Sequence, residues 1–139
     1  MFKHILVPID LSDRNARALT AALALARQSR ARVTLLHVIQ SVQSIPPGEL
    51  GDFYRELARA SLRKLERVAR RFVAKRVGVR TELTIGEPAR EIVRLAAKRR
   101  ADLVVMGSHK VRPGRPSTGW GTTSYKVGVF CRCPVLLVK

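Results

Sequence analysis

The chain has 139 residues, and its 27 lysines and arginines outnumber 10 aspartates and glutamates, so the net charge is +17 at pH 7. This length predicts one domain spanning residues 1–139, and 46% apolar residues exclude a disordered chain despite the charge. No apolar run approaches the roughly 20 residues of a membrane-spanning helix, and no signal-peptide core follows Met1. We therefore expect a soluble cytoplasmic protein with no membrane partner. The charge alone does not distinguish a phosphate-containing small ligand from a nucleic acid as the partner, because a strongly basic protein attracts both.

Short apolar runs alternate with helical patterns from the start of the chain. The run His4–Ile9 predicts a buried strand, and Ser12 is placed to cap the helix that follows. The segment Ala31–Val38 is rich in β-branched residues and predicts a second strand. Two consecutive prolines place a loop over Gln40–Gly48.

The same alternation continues through the middle of the chain. A long helix is predicted over Gly51–Arg76, ended by Gly78. The polarity of Val79–Ile85 alternates, which predicts a third strand near an edge of the sheet. A helix with Pro88 in its first turn and a buried strand over Leu103–Met106 follow.

A short helix over Thr122–Cys131 and a fifth strand over Pro134–Val138 complete the pattern. Strict β/α alternation with apolar strands predicts an α/β fold, an open doubly wound parallel sheet of five strands with helices on both faces. Such sheets bind ligands beyond the carboxyl ends of the strands, where the winding direction reverses. Site residues are therefore expected at Pro8–Asp10, at Val38–Gln40 and from Gly107 onwards.

The loop after the fourth strand carries the most informative motif. Gly107-Ser108-His109-Lys110 is followed by ten residues and then by Gly121-Thr122-Thr123. A glycine lets backbone N–H groups approach a ligand closely, and the second segment opens a helix whose unpaired N–H groups suit an anion. Arg112 and Arg115 lie between the two segments. Together these parts predict a phosphate-binding site. The spacing of the glycines matches neither a Walker loop nor a dinucleotide-binding fingerprint.

Five stretches, in this order, resemble the universal stress protein family over essentially the whole chain. They are Ile5–Ser12 (ILVPIDLS), Leu35–Val38 (LLHV), Gly86–Pro88 (GEP), Ala101–His109 (ADLVVMGSH) and Cys133–Val138 (CPVLLV). The resemblance implies strand order 3-2-1-4-5 and a homodimer formed through the last strand. It also implies the nucleotide pocket of the ATP-binding branch, whose signature is G-x2-G-x9-G-[ST]. Gly107 matches the first glycine, and Gly121-Thr122 matches the closing pair.

The resemblance also assigns individual contacts in that pocket. It implies that Asp10 contacts the ribose and that Val38 offers its backbone to the adenine, with ATP, alone or with Mg²⁺, as a regulatory ligand. Strand order 3-2-1-4-5 puts the reversal between strands one and four, so topology and motif predict the same pocket. The expected nucleotide-binding residues are Pro8, Ile9, Asp10, Val38, Met106, Gly107, Ser108, His109, Lys110, Gly121, Thr122 and Thr123.

The chain departs from the signature at two points. Lys110 stands in place of the second glycine, and ten residues instead of nine precede Gly121. Two outcomes stay open for Lys110: its side chain blocks the backbone from closing over the phosphates, or its ammonium replaces the lost N–H contacts as a point charge. The alternative function is accordingly a nucleotide-free dimerisation or signalling module of the same fold.

Several candidate residues also have structural interpretations. Asp10 is placed either to bind a nucleotide or to cap the following helix. His109 either touches phosphate or is exposed, whereas His4 and His37 are predicted to be structural. No spacing of histidines and cysteines predicts a metal site.

The sequence predicts no catalytic residue. No Ser/His/Asp or Cys/His arrangement suggests a nucleophile. No general base is placed to activate water, so we expect at most slow ATP hydrolysis by positioning and charge neutralisation. Cys131 and Cys133 are predicted to be reduced thiols that form neither a disulfide framework nor a zinc site.

Much of the positive charge lies on the long helix. At about 100° per residue, one face carries Arg55, Arg59, Arg63, Arg67 and Arg70, which we call the arginine face. Such a face, opposite an apolar stripe, is typical of solvated surface. Its alternative is a contact with nucleic acid, for which the sequence has few aromatic residues and no motif.

Overall fold

The computed structural model describes residues 1–41, 47–108 and 122–139. Within these ranges, strands and helices alternate along the chain, and a 3₁₀ turn at Asp13–Asn15 precedes the first helix. The strands are β1 (His4–Pro8), β2 (Arg32–Gln40), β3 (Val79–Gly86), β4 (Leu103–Gly107) and β5 (Val135–Val138); the helices are α1 (Ala16–Ser29), α2 (Pro47–Ala74), α3 (Pro88–Lys98) and α4 (Thr123–Phe130).

All five strands are parallel and lie in one sheet, in the order β3-β2-β1-β4-β5. The predicted α/β fold and strand order are confirmed, with β3 at an edge as its alternating polarity predicted. Successive side chains of β1 point to opposite faces of the sheet. Ile5 packs with α1 and α2 on one face, and Leu6 packs with α3 and α4 on the other. Two apolar cores therefore hold the central strands between layers of helices.

Helix α2 ends differently from the prediction. It stops at Ala74, and the left-handed residue that follows is Arg76 (φ 60°), not Gly78. The N–H of buried Val77 donates to the carbonyl of Phe72 at 3.0 Å, which completes a Schellman-type ending. The burial of Val77 stabilises a conformation that usually favours glycine, so the helix ends before the predicted glycine.

The loop predicted over Gln40–Gly48 differs from the structure at both of its ends, and its residues 42–46 lie outside the described residues. Strand β2 extends through Gln40, and α2 already begins at Pro47. Proline is well accommodated at the start of a helix, because the N–H that it lacks has no helical partner there. Pro47 therefore marks the beginning of α2, inside the segment predicted as a loop.

Strands β1 and β4 separate at their carboxyl ends. Their register aligns Ile5 with Leu103 and continues for one further pair. The N–H of Ile9 donates to Leu36 O of β2 at 2.8 Å, so the nitrogen one residue earlier faces β4, since successive amides point to opposite sides of a strand. That residue is Pro8, which has no N–H to donate. The strands can therefore diverge without leaving a donor at Pro8 unpaired.

Candidate functional site

A cavity of about 500 Å³ lies at the carboxyl ends of the central strands. Its walls include Pro8–Asp10 after β1, Leu36–Gln40 of β2, and Met106 with Gly107 of β4. The strand order reverses between β1 and β4, so the cavity occupies the position where open α/β sheets bind ligands. Its volume lies within the usual range for small-molecule sites, about 300–1,000 Å³.

Asp10 stands at the mouth of this cavity and is held by a turn. Its Oδ1 accepts hydrogen bonds from Ser12 N (2.9 Å), from Ser12 Oγ (2.6 Å) and from the side-chain amide of Asn15. Within the described residues, Oδ2 accepts none. Burial alone raises the pKa of Asp10, but these bonds outweigh it and hold the pKa below its ordinary value of 3.8. Asp10 is therefore a fixed carboxylate at neutral pH, with one oxygen available to a ligand.

The opposite wall combines a glycine with the start of a helix. A Cβ on Gly107 would meet Arg14 O at 3.8 Å, an ordinary contact, so packing among the described residues does not require glycine here. Thr122 caps α4 by accepting from Tyr125 N. Thr123 and Ser124, the next two residues, line the cavity, and N–H groups at these positions lack helical partners. This wall presents donors and partial positive charge to the cavity.

Apolar side chains from two helices complete the cavity. Phe53 and Leu57 reach it from α2, and Ile92 reaches it from α3. Phe53 and Leu57 remain exposed because they face the cavity and not the sheet. The spacing of this pair, four residues apart on a helix, puts both on one side. An apolar pair at the amino end of α2 was therefore a usable indication that the sequence interpretation missed.

His37 is a second residue that sequence reasoning did not assign to the site. It lines the cavity, and its Nδ1 lies 2.8 Å from the carbonyl oxygen of Ile9. A carbonyl only accepts, so Nδ1 carries the hydrogen and Nε2 of the neutral ring is an acceptor. The bond ties β2 to the end of β1, as the predicted structural role requires. Its place beside Val38, at the carboxyl end of a central strand, was the indication that it also borders the cavity.

The structure brings together most of the predicted residues that it describes. Seven line the cavity: Pro8, Ile9, Asp10, Val38, Met106, Gly107 and Thr123. Two others stand beside it, Ser108 with its N–H donated to Val138 O at 2.9 Å and Thr122 as the cap of α4. The predictions for His109, Lys110, Arg112, Arg115 and Gly121 lie outside the described residues.

Residues 1–41, 47–108 and 122–139 contain no group of three or more His, Cys, Asp or Glu side chains placed to hold a metal ion. No helix among them combines the length and apolarity needed to cross a membrane.

The model of the universal stress protein family matches residues 1–139 of this chain. The chain belongs to the universal stress protein family. It is 36% identical to a universal stress protein of Thermus aquaticus and 32% identical to universal stress protein YxiE of Bacillus subtilis (strain 168), with all of both chains covered in each comparison. The resemblance stated from the sequence is thus confirmed at the level of the family.

Solved structures of the family share the fold. Protein MJ0577 of Methanocaldococcus jannaschii superposes with a TM-score of 0.87 at 28% identity, over 100% of this chain and 96% of that one. A universal stress protein solved with cAMP gives 0.76 at 20% identity, over 99% and 97% of the two chains. The universal stress protein from Archaeoglobus fulgidus solved with dAMP gives 0.71 at 21% identity, over 99% and 98%.

Proposed function

We propose that this protein binds an adenine nucleotide, with ATP as the expected form, in the cavity between the carboxyl ends of β1 and β4. The observation that carries the proposal is the meeting of Asp10, Gly107 and Thr123 around one cavity at the reversal of strand order. Family members solved with cAMP and dAMP support an adenine nucleotide as the class of ligand.

The inner part of the cavity suits the base. Leu36, Ile92 and Met106 form buried apolar walls there, and an adenine ring gains free energy by leaving water against such surfaces. Val38 lies at the carboxyl end of β2, where the proposal assigns its backbone to the polar edge of adenine. Backbone recognition combined with apolar packing is a common arrangement in small-molecule sites.

The two polar walls suit the rest of the nucleotide. Oδ2 of Asp10 is an acceptor for ribose hydroxyl groups, because Oδ1 is already engaged by the turn. The start of α4 favours a phosphate, since N–H groups and the helix dipole both stabilise negative charge there. Gly121, carried over from the family resemblance, and Lys110, as a point charge in place of the second glycine of the signature, complete the phosphate contacts in the proposal. The bound nucleotide is assigned a regulatory role with at most slow hydrolysis.

Replacing Asp10 by Asn tests the ribose contact. An asparagine oxygen still accepts the bonds from Ser12, so the turn is kept while the charge is lost. Removing a hydrogen bond to a charged group costs about 1.5–3 kcal/mol, and we expect ATP affinity to fall roughly ten- to hundredfold by titration calorimetry.

Asp13→Asn is the matched control for this experiment. Asp13 is an exposed carboxylate in the neighbouring 3₁₀ turn, outside the walls of the cavity. The same loss of charge there should leave ATP affinity unchanged. Equal effects of the two substitutions would contradict a specific role for Asp10, and an absence of binding to the unmodified protein would favour the nucleotide-free module.

The proposal also includes a cytoplasmic homodimer formed through β5. This strand lies at an edge of the sheet, where unpaired backbone groups can pair with a second copy. Leu136 of β5 is an exposed apolar residue at this edge, and Val129 and Phe130 are exposed on α4, which packs on one face of the sheet. Burying such side chains is a favourable contribution to association.

A further inference from the structure

Two free thiols lie side by side at the end of α4 that is remote from the nucleotide cavity. Cys131 follows the last helical residue, Cys133 precedes β5, and their Sγ atoms are 3.5 Å apart. Both side chains are half-buried, whereas Arg132 between them is exposed. Helix α4 has eight residues, so about 12 Å of helix separates the pair from the amino end of α4.

A separate cavity of about 350 Å³ opens beside this pair. Its walls include the apolar residues Val93, Ala96 and Phe130, and both thiols border it. Arg100 and Arg132 also line it, and within the described residues neither has an ion pair with an acidic side chain. A molecule bound in this cavity would therefore meet two neighbouring sulfur atoms, an apolar surface and two cations.

We propose that Cys131 and Cys133 form a redox-active dithiol that exchanges with a small disulfide carrying carboxylates, of the class of glutathione disulfide, held in this cavity. The apolar walls contact the body of the molecule, and the two guanidinium groups bind its carboxylates. The inference is independent of the nucleotide site, because no residue named for that site borders this cavity.

The surroundings assign a role to each sulfur. Burial, followed by the hydrogen bond with Cys131, raises the pKa of Cys133 to about 12, so Cys133 stays protonated at neutral pH. Its S–H can then donate to Cys131 Sγ. Because attack on a disulfide requires a thiolate, Cys131 is assigned as the attacking sulfur and Cys133 as the resolving one.

The exchange balances in two steps. The Cys131 thiolate attacks one sulfur of the small disulfide, the S–S bond breaks, and the released thiolate takes up a proton to leave as a thiol. Cys133 then gives its proton to water and attacks Cys131 Sγ. The bond to the second half of the small molecule breaks, and that half leaves as a thiol after protonation. The protein loses two protons and two electrons, and the small disulfide takes up both to become two thiols.

Reaction of the folded protein with glutathione disulfide, followed by acid quench and mass spectrometry, tests the two roles. The unmodified protein should lose two hydrogens as the intramolecular disulfide forms. Cys133→Ser should stop at a mixed disulfide on Cys131, and Cys131→Ser should react at least about tenfold more slowly. Equal rates for the two variants, or a mixed disulfide as the final product of the unmodified protein, would overturn the assignment.

A second comparison tests the cavity without altering either thiol. Replacing Arg100 and Arg132 by Gln should slow the reaction with glutathione disulfide about tenfold and leave the reaction with uncharged hydroxyethyl disulfide unchanged. Replacing Arg59 and Arg63 by Gln removes the same charge from the exposed face of α2 and should slow neither reaction. Equal slowing by the two pairs of substitutions would overturn the binding role of the cavity.

Discussion

At the scale of single residues, Asp10 shows how a structural and a functional interpretation can both apply to one side chain. Its Oδ1 closes the turn that precedes α1, through Ser12 and Asn15. Its Oδ2 faces a ligand in the proposed function. The sequence offered capping and nucleotide contact as alternatives. A pattern of residue types does not show that the two oxygens of one carboxylate can have different partners.

His4 lies at the opposite end of the central strand, at the start of β1. It is buried, with Nδ1 2.9 Å from the carbonyl oxygen of Arg99 and Nε2 2.7 Å from Thr34 Oγ1. Burial is the largest influence on this ring and lowers its pKa below the ordinary 6.5, although the bond to Arg99 opposes the shift. The structural role predicted for His4 is consistent with these contacts.

This depressed pKa predicts a loss of stability at mildly acidic pH. The unfolded chain takes up a proton near pH 6.5, before the folded protein does, so the free energy of unfolding should fall as pH decreases below 6.5. Urea unfolding at a series of pH values would measure the slope, which His4→Gln should reduce. The pKa values of Asp10 and Glu82 are also lowered, so a further loss at more acidic pH should remain in the variant. An unchanged slope in His4→Gln would contradict the assignment.

At the scale of secondary-structure elements, the order and type of strands and helices followed from hydrophobic periodicity. The strands were predictable because burial on both faces requires continuous apolar runs, as in β1 and β4. The end of α2 was not, because the left-handed conformation of Arg76 depends on the burial of Val77 against the rest of the protein. Local residue preference pointed to Gly78, and a tertiary contact overrode it.

The site was predictable to the extent that it follows from the ends of strands. Gly107 ends β4 and Asp10 lies two residues after the end of β1, so topology alone brings them together. Phe53 and Leu57 lie on α2, whose position over the cavity depends on how the whole helix packs. The four-residue spacing of the pair indicates that both lie on one side of α2, but the sequence does not show that this side faces the cavity.

The proposed dimer interface lies at the β5 edge of the sheet, where a single substitution can test it. Leu136 is 40% exposed and Phe130 is 68% exposed, so a lysine at 136 would place a charge in the proposed interface. We expect Leu136→Lys to convert a dimer into a monomer in sedimentation experiments. Val73→Lys is the control, since Val73 is an exposed apolar residue on α2. A Leu136→Lys protein that stays dimeric would contradict the β5 interface.

At the scale of the whole molecule, the net charge of +17 is distributed over several surfaces. All five residues of the arginine face are exposed, and Arg55 pairs with Asp52 at 3.3 Å. This is the arrangement of a solvated surface, opposite the buried Leu65 and Phe72 of the same helix. Net charge therefore does not identify a partner, and the proposal of a nucleotide rests on the position of the cavity in the fold.

The arginine face should bind nucleic acid only by its charge. Replacing Arg59, Arg63 and Arg67 by Gln should weaken binding to a DNA duplex at low salt and reduce the log–log salt slope by about 2.7, at roughly 0.9 per phosphate contact. ATP affinity should be unchanged in the same protein. Tight duplex binding at physiological salt that depends on these three arginines would instead favour a nucleic-acid function.

The location of the bound nucleotide is the most direct test of the account. Backbone amide spectra of the isotope-labelled protein, recorded during addition of ATP with Mg²⁺, report binding residue by residue. We predict saturable changes at Ile9, Asp10, Gly107, Thr123 and Ser124, which border the cavity between β1 and β4. Spectra that do not change with ATP, or changes concentrated on the arginine face, would contradict the proposed site.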